Sequence, residues 1–319
     1  MLCRLAMPDH HHSRDHDRAR SLGHAHTRVR FGRAFAIGIA LNLAYLVAEA
    51  GFGVAANSLA LISDAAHNLG DVLALGAAWG AATLAARRPS GRYTYGLRRT
   101  SIFAAVGNAV ALLIVTGGVA WQAIMRLIAP EPTHGVIVIV VAAAGIAVNG
   151  GTALLFLRGR NDDLNIRAAF QHMAADAAIA FGVAAAGVAI LATGWQWLDP
   201  AAGLIVGAVI VAGTWSLLRE AVNLSLDAVP EGIDRIAVKA YLDALPGIVE
   251  VHDLHIWGLS TTETALTAHL IYADGTRLDA LLPEICTAVR ERFGIGHATI
   301  QLETPELARQ CALRPDHVV

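Results

Sequence analysis

The chain has 319 residues, 55% of them hydrophobic and only 16% charged, with a mean hydropathy of +0.51. That is too apolar for an ordinary soluble protein and too regularly interrupted for a structureless one, which leaves a polytopic membrane protein with a soluble part attached. The formal charge of -2 decides little, and Cys3, Cys286 and Cys311 form neither a CxxC pair nor an even framework, so neither disulfides nor a thiolate zinc site is expected.

Residues 1–30 are polar and hold His10, His11, His12, His16, His24 and His26 among several arginines, without the apolar core of a signal peptide. By composition this is a disordered cytoplasmic tail, whose histidines either collect metal weakly or are low-complexity decoration. Six apolar segments follow, at 31–54, 59–86, 101–128, 136–157, 166–193 and 200–222. Each has the roughly 20 residues that a helix needs to cross about 30 Å of hydrocarbon. Arg28 and Arg30 precede the first, with Arg33 at its very start; Arg87, Arg88, Arg92, Arg98 and Arg99 follow the second; Arg158, Arg160 and Arg167 follow the fourth. The alternate loops, around Asn57, 130–135 and 195–200, have no lysine or arginine, so the positive-inside rule puts both termini in the cytoplasm.

The second segment is apolar enough for a bilayer, yet it carries Asp64, His67 and Asp71 within roughly two helical turns. Ionisable groups there cost on the order of 3 kcal/mol each, and they mark ion or proton paths. The fifth segment repeats the pattern, with His172 and Asp176 at the same His-x-x-x-Asp spacing as His67 and Asp71. Each i, i+4 pair projects from one face of its helix. A lone His or Asp in a membrane helix is commonly a satisfied hydrogen-bonding residue, but the repeat favours a shared four-coordinate N2O2 site of the kind zinc prefers. Gly203 and Gly207 form a GxxxG that lets backbones approach; Asn42, Glu49 and Asn108 read as helix-to-helix hydrogen bonds or the lining of a wet cavity, with support of the metal as a minor alternative.

From Asp227 the chain becomes soluble in character. Residues 232–245 read as a helix, 248–259 and 264–273 as strands, 278–293 as a helix and 297–303 as a strand, which suggests a small α+β domain with its sheet covered by helices on one face. Leu254 and Ile256, then Leu266, Ala268 and Leu270, then Ala298, Ile300 and Leu302 take the core side by period two. The open face receives Asp253, His255 and Trp257, then Thr267 and His269, then His297, Thr299 and Gln301, with His252 of undecided direction at the strand start. Three readings stand for that face: a dimer contact, a second metal site, or plain solvated polarity.

With these segments in place the chain resembles the cation diffusion facilitator family, in its zinc-transporting branch. The resemblance rests on SLALISDAAHNLGDV, HMAADA, PEGID, VHDLHIWGLS and ALTAHL, in that order. It implies six transmembrane helices followed by a ferredoxin-like cytoplasmic domain that pairs in a homodimer, and export of metal from the cytoplasm in exchange for protons. The family's transport ligands fall on His67, Asp71, His172 and Asp176. His252 and His269, with the acid Glu303, match the soluble metal site of bacterial relatives, whereas Gln301 stands where a two-metal site has a His; one cytoplasmic metal per subunit is implied. The 158–163 loop lacks the histidines that many relatives carry there.

The expected organisation is a tail at 1–30, a membrane domain at 31–222, a cytoplasmic domain at 227–304 and a second tail at 305–319. The expected partners are divalent metal ions, protons, membrane lipid and a second copy of the chain, with no organic cofactor and no nucleic acid. With no cleavable targeting segment expected, a bacterial inner membrane is the expected location. An intramembrane metalloprotease would also bury His and Asp around zinc, but the HExxH that supplies its base is missing. The remaining alternative is a membrane metal sensor that binds without transport.

Overall fold

The computed structural model describes residues 33–85, 87–157, 164–273, 275, 278–311, 313 and 314. The His-rich tail at 1–30 and the 158–163 loop lie outside them. Six long helices come first: α1 (Arg33–Ala55), α2 (Leu59–Ala85), α3 (Thr100–Ile128), α4 (Gly135–Phe156), α5 (Leu164–Thr193) and α6 (Leu198–Ser225). Over the described residues α3 to α6 are long and apolar enough to cross a membrane, while Leu43–Ala55 of α1 is a shorter apolar stretch. Their outer faces suit lipid, since Phe103, Ile114, Trp121, Phe181, Trp215 and Leu217 are 62% to 69% exposed. In the interior Tyr45, Leu61, Val138, Ala142, Val183 and Ile210 pack together. The strongest pairings are α4 with α5 and α3 with α6; α2 lies against α3, α6 and α1, and touches α5 over a short stretch.

Small residues set the closest of these approaches. A Cβ on Gly203 would stand 3.1 Å from the Leu59 backbone, and one on Gly187 would stand 3.3 Å from the Gly135 carbonyl, so α6 meets α2 and α5 meets α4 nearly backbone to backbone. Gly207 is different, because a Cβ there would make only an ordinary 3.5 Å contact with Thr116.

The loops at the Asn57 end are tied together by polar contacts. Asn57 takes φ +53, a left-handed conformation that Asn tolerates, and turns the chain from α1 into α2. Arg126 donates to the Asn57 carbonyl and side chain, and Asn57 Nδ2 donates to Glu131 at 3.0 Å. The buried Asp199 at the start of α6 accepts from Ser58 Oγ and, at 2.7 Å, from Leu59 N, capping α2 from another helix. Gln196 Oε1 accepts from Thr133 N at 2.8 Å.

The soluble part comprises α7 (Arg235–Asp243), β1 (Ile248–Gly258), β2 (Thr264–Tyr272), α8 (Leu278–Phe293), β3 (His297–Glu303) and α9 (Pro305–Ala308). Asp234 caps α7 by accepting from Ile236 N and Ala237 N, which is why the helix starts later than position 232, where Gly232 sits at φ +90. The sheet order is β1-β2-β3, with β1 and β2 antiparallel and β2 and β3 parallel across the α8 connection. Val238 and Leu242 of α7 and Ile285 and Val289 of α8 cover Val251, Leu254, Ile256, Leu266 and Leu270. These observations establish a helical membrane domain followed by a small α+β domain with a three-stranded sheet.

Two details depart from the sequence reading. The ladder slips between His252 and His255, and Asp253 sits there at φ +50, so the side-chain alternation changes phase inside β1. Val251 and Leu254 therefore both reach the core, and His252 turns to the opposite face, directly across from His269. Secondly, 305–311, 313 and 314 do not trail away as a tail. Thr304 caps α9, α9 packs on β2 and β3, and Arg314 forms a two-pronged ion pair with Glu250 at 2.7 and 3.1 Å. The face expected to be open is thus partly roofed, and Glu303 on it is 0% exposed.

Candidate metal centres

In the membrane domain the four residues of the repeated motif come together where α2 and α5 touch. His67 Nε2 lies 3.4 Å from Asp176 and 3.9 Å from Asp71; His172 Nε2 lies 3.2 Å from Asp71 and 3.7 Å from Asp176. Imidazole and carboxylate alternate around a closed ring, with the two imidazoles 6.1 Å apart. Each helix supplies one of each because an i, i+4 pair shares a face. Asp176 is buried at 2% exposure, whereas His67, His172 and Asp71 are partly exposed.

Behind it stands a second polar group. Tyr45 donates to Glu49 at 2.6 Å, and Asn68, next to His67, donates to the other Glu49 oxygen at 2.9 Å. Glu49 therefore links α1 to α2, in keeping with a helix-to-helix hydrogen bond; the side chain of Asn42 lies outside the described residues, and Asn108 Oδ1 has no hydrogen-bond partner.

In the soluble domain His252, His269, Glu303 and Cys311 each point one donor atom into a common space, all within 4.8 Å of one another. Glu303 Oε1 lies 2.9 Å from His269 Nδ1 and accepts from Gln301 Nε2 at 2.7 Å. Asp253 stands on the outer side of both His269, whose Nε2 is 3.5 Å away, and His255, whose Nε2 is 2.8 Å away. The Arg314 guanidinium beside Glu250 holds that carboxyl below the usual glutamate range and fastens the segment that carries Cys311.

Residues 35–224 match the family described as the cation efflux transmembrane domain, and residues 230–305 match the cation efflux protein cytoplasmic domain. The chain belongs to the cation efflux family, the cation diffusion facilitators. It is an integral membrane transporter of metal cations and not an enzyme. It is 35% identical over 283 residues to the metal cation efflux system protein CzcD of Cupriavidus metallidurans, covering 88% of this chain and 90% of that one. It is 31% identical over 288 residues to the cadmium, cobalt and zinc/H(+)-K(+) antiporter of Bacillus subtilis, covering 89% and 92%. Among solved structures, the metal-bound C-terminal domain of the CzcD transporter is 35% identical over 22% of this chain and 99% of that one, at TM-score 0.22.

For this cation efflux protein the sequence drew attention to seven residues, and the structure gathers them as one group of four and one of three. It adds Cys311, contrary to the expectation that no cysteine would stand at a metal centre, because the fold-back after β3 carries it to the sheet. It also adds Asp253, Asn68 and Asp199, which orient or cap. Nothing in their spacing marked them: apart from the Asp253–His255 contact two positions along the strand, their partners lie 16 to 141 positions away.

Proposed function

We propose that the protein exports divalent metal, zinc foremost and also cadmium or cobalt, in exchange for protons, with His67, Asp71, His172 and Asp176 holding the ion in transit. The observation that carries this reading is the closed ring of alternating imidazole and carboxylate across α2 and α5. Two carboxylates give the bare ring charge -2, which a divalent ion cancels. When the ion leaves, two protons restore neutrality, and imidazole is suited to take them near neutral pH. The B. subtilis relative is named as an antiporter of this class, which supports the coupling.

The rest of the organisation follows the same reading: six membrane spans over 31–222, both termini cytoplasmic, a ferredoxin-like domain at 227–304 that pairs two subunits, and alternating access between the two sides of a bacterial inner membrane. Contacts of the arginine-rich 87–99 loop with the soluble domain, Arg98 with Glu263 and Arg99 with Asp227, support placing both on one side. In the soluble domain His252, His269 and Glu303 would hold a resident metal. They suit one, since His252 and Glu303 are buried with hydrogen-bonding atoms left unpartnered. The deciding test is flux. Proteoliposomes holding a zinc-sensitive dye should fill when an opposing proton gradient is imposed; binding without filling would leave a metal sensor instead.

A further inference from the structure

Both ring nitrogens of His252 lack a hydrogen-bond partner although the residue is 3% exposed, and Oε2 of the fully buried Glu303 lacks one too. His252 Nε2 and that oxygen face each other at 3.5 Å, too long for a good hydrogen bond. Buried polar atoms left like this point to a missing partner. The Cys311 sulfur stands at the edge of the same space, 3.7 Å from His269 Nδ1. A tetrahedral ion with bonds of about 2.0–2.3 Å sets its donors roughly 3.3–3.7 Å apart, so four donors within 4.8 Å need only small side-chain rotations to close on one.

We infer that Cys311 is a metal ligand, its thiolate completing a four-coordinate site with His252, His269 and Glu303. The inference rests on the resident-metal reading of those three residues and is independent of the membrane ring. Charge favours it. Two neutral imidazoles and one carboxylate would leave a divalent ion with charge +1 beside a 0% exposed Glu303, whereas a thiolate brings the site to zero. The thiol proton is released as the metal binds. Orientation favours it as well: with Nε2 of His269 turned to Asp253, Nδ1 is the inward atom, and it is the one beside both Glu303 and Cys311. Sulfur makes the site selective for thiophilic zinc and cadmium over manganese and magnesium.

The test uses cobalt and the full-length chain in detergent, with Asp71→Ala and Asp176→Ala emptying the membrane ring and Cys3→Ser removing sulfur from the tail. Cobalt should raise a sulfur-to-cobalt charge-transfer band that Cys311→Ser abolishes and Cys286→Ser leaves intact. A band that survives Cys311→Ser overturns the assignment. So does cobalt bound without a band; then His252→Ala separates the two readings, since losing one equivalent of cobalt would keep the three-residue site and sink only the thiolate, and losing none would sink both. Otherwise wild-type protein supplies a check free of folding defects. Zinc should slow alkylation of Cys311 at least tenfold while leaving Cys286 unchanged, and equal rates at Cys311 with and without zinc overturn the proposal.

Discussion

Asp176 is 2% exposed, and its Oδ1 has no hydrogen-bond partner, only the His67 ring 3.4 Å away. A carboxylate so placed contributes little to packing, so Asp176→Ala should leave a folded protein by gel filtration while zinc flux into proteoliposomes falls by about 100-fold or more. At His67 the substitution to Asp exchanges a borderline nitrogen for a hard oxygen and adds a charge. His67→Asp should therefore gain cadmium or manganese transport relative to zinc, measured by paired-metal competition uptake; an unchanged preference would mean that this side chain does not touch the ion. These residues were legible in sequence because ionisable groups stand out against an apolar background and their spacing recurs. Cys311 was not, since no nearby ligand flanks it and only the chain reversal after Glu303 explains its place. His252 was half legible: its type was informative, but its direction depended on a register slip that period-two reasoning cannot anticipate.

Between elements, the two glycines of the GxxxG separate into different roles. Gly203→Ala places a methyl 3.1 Å from the Leu59 backbone, which cannot rotate away, and should cost about 1–2 kcal/mol, seen as a lower thermal midpoint in detergent. Gly207→Ala meets only the Thr116 side chain at 3.5 Å and should be neutral or stabilising by up to about 1 kcal/mol. The pattern in sequence suggested a close approach but could not say which of the two glycines makes it. The C-terminal fold-back has a pH dependence with a definite sign. Glu250 has its carboxyl depressed in the folded state by hydrogen bonding to Arg314, so the ion pair is complete above the ordinary carboxylate value of about 4.3 and is lost only as pH falls through the lower, folded value. Trypsin at neutral pH should cut after Arg309 slowly in the wild type and several-fold faster in Arg314→Ala. Pepsin, applied as pH is lowered, should release the wild-type segment below the usual glutamate range and not within it.

Across the whole molecule, Arg98 and Arg99 pair with Glu263 and Asp227, Thr261 N donates to Ser101 Oγ at 3.2 Å, and the Tyr95 and His297 rings meet edge to face at 5.5 Å. The ion pairs are about half exposed, so each is weak and screened by salt. Arg98→Ala with Arg99→Ala should leave metal content unchanged by elemental analysis while broadening the spin-label distance distribution between the 87–99 loop and the soluble domain. At the far end the loops around Asn57, Thr133, Gln196 and Asp199 are laced to one another, so a tilt of α5 would pivot about that end. From Thr193 back to Asp176 and His172, at about 1.5 Å per residue, the lever arm is roughly 26–32 Å. A tilt of about 5° about the laced end would shift those two side chains by about 2–3 Å and the opposite tip of α5 by about 4 Å. Displacement of that size matches or exceeds a metal–ligand bond of about 2.0–2.3 Å, so under the proposed mechanism a rocking motion too slight to undo a single knot in the lacing would let the cargo go.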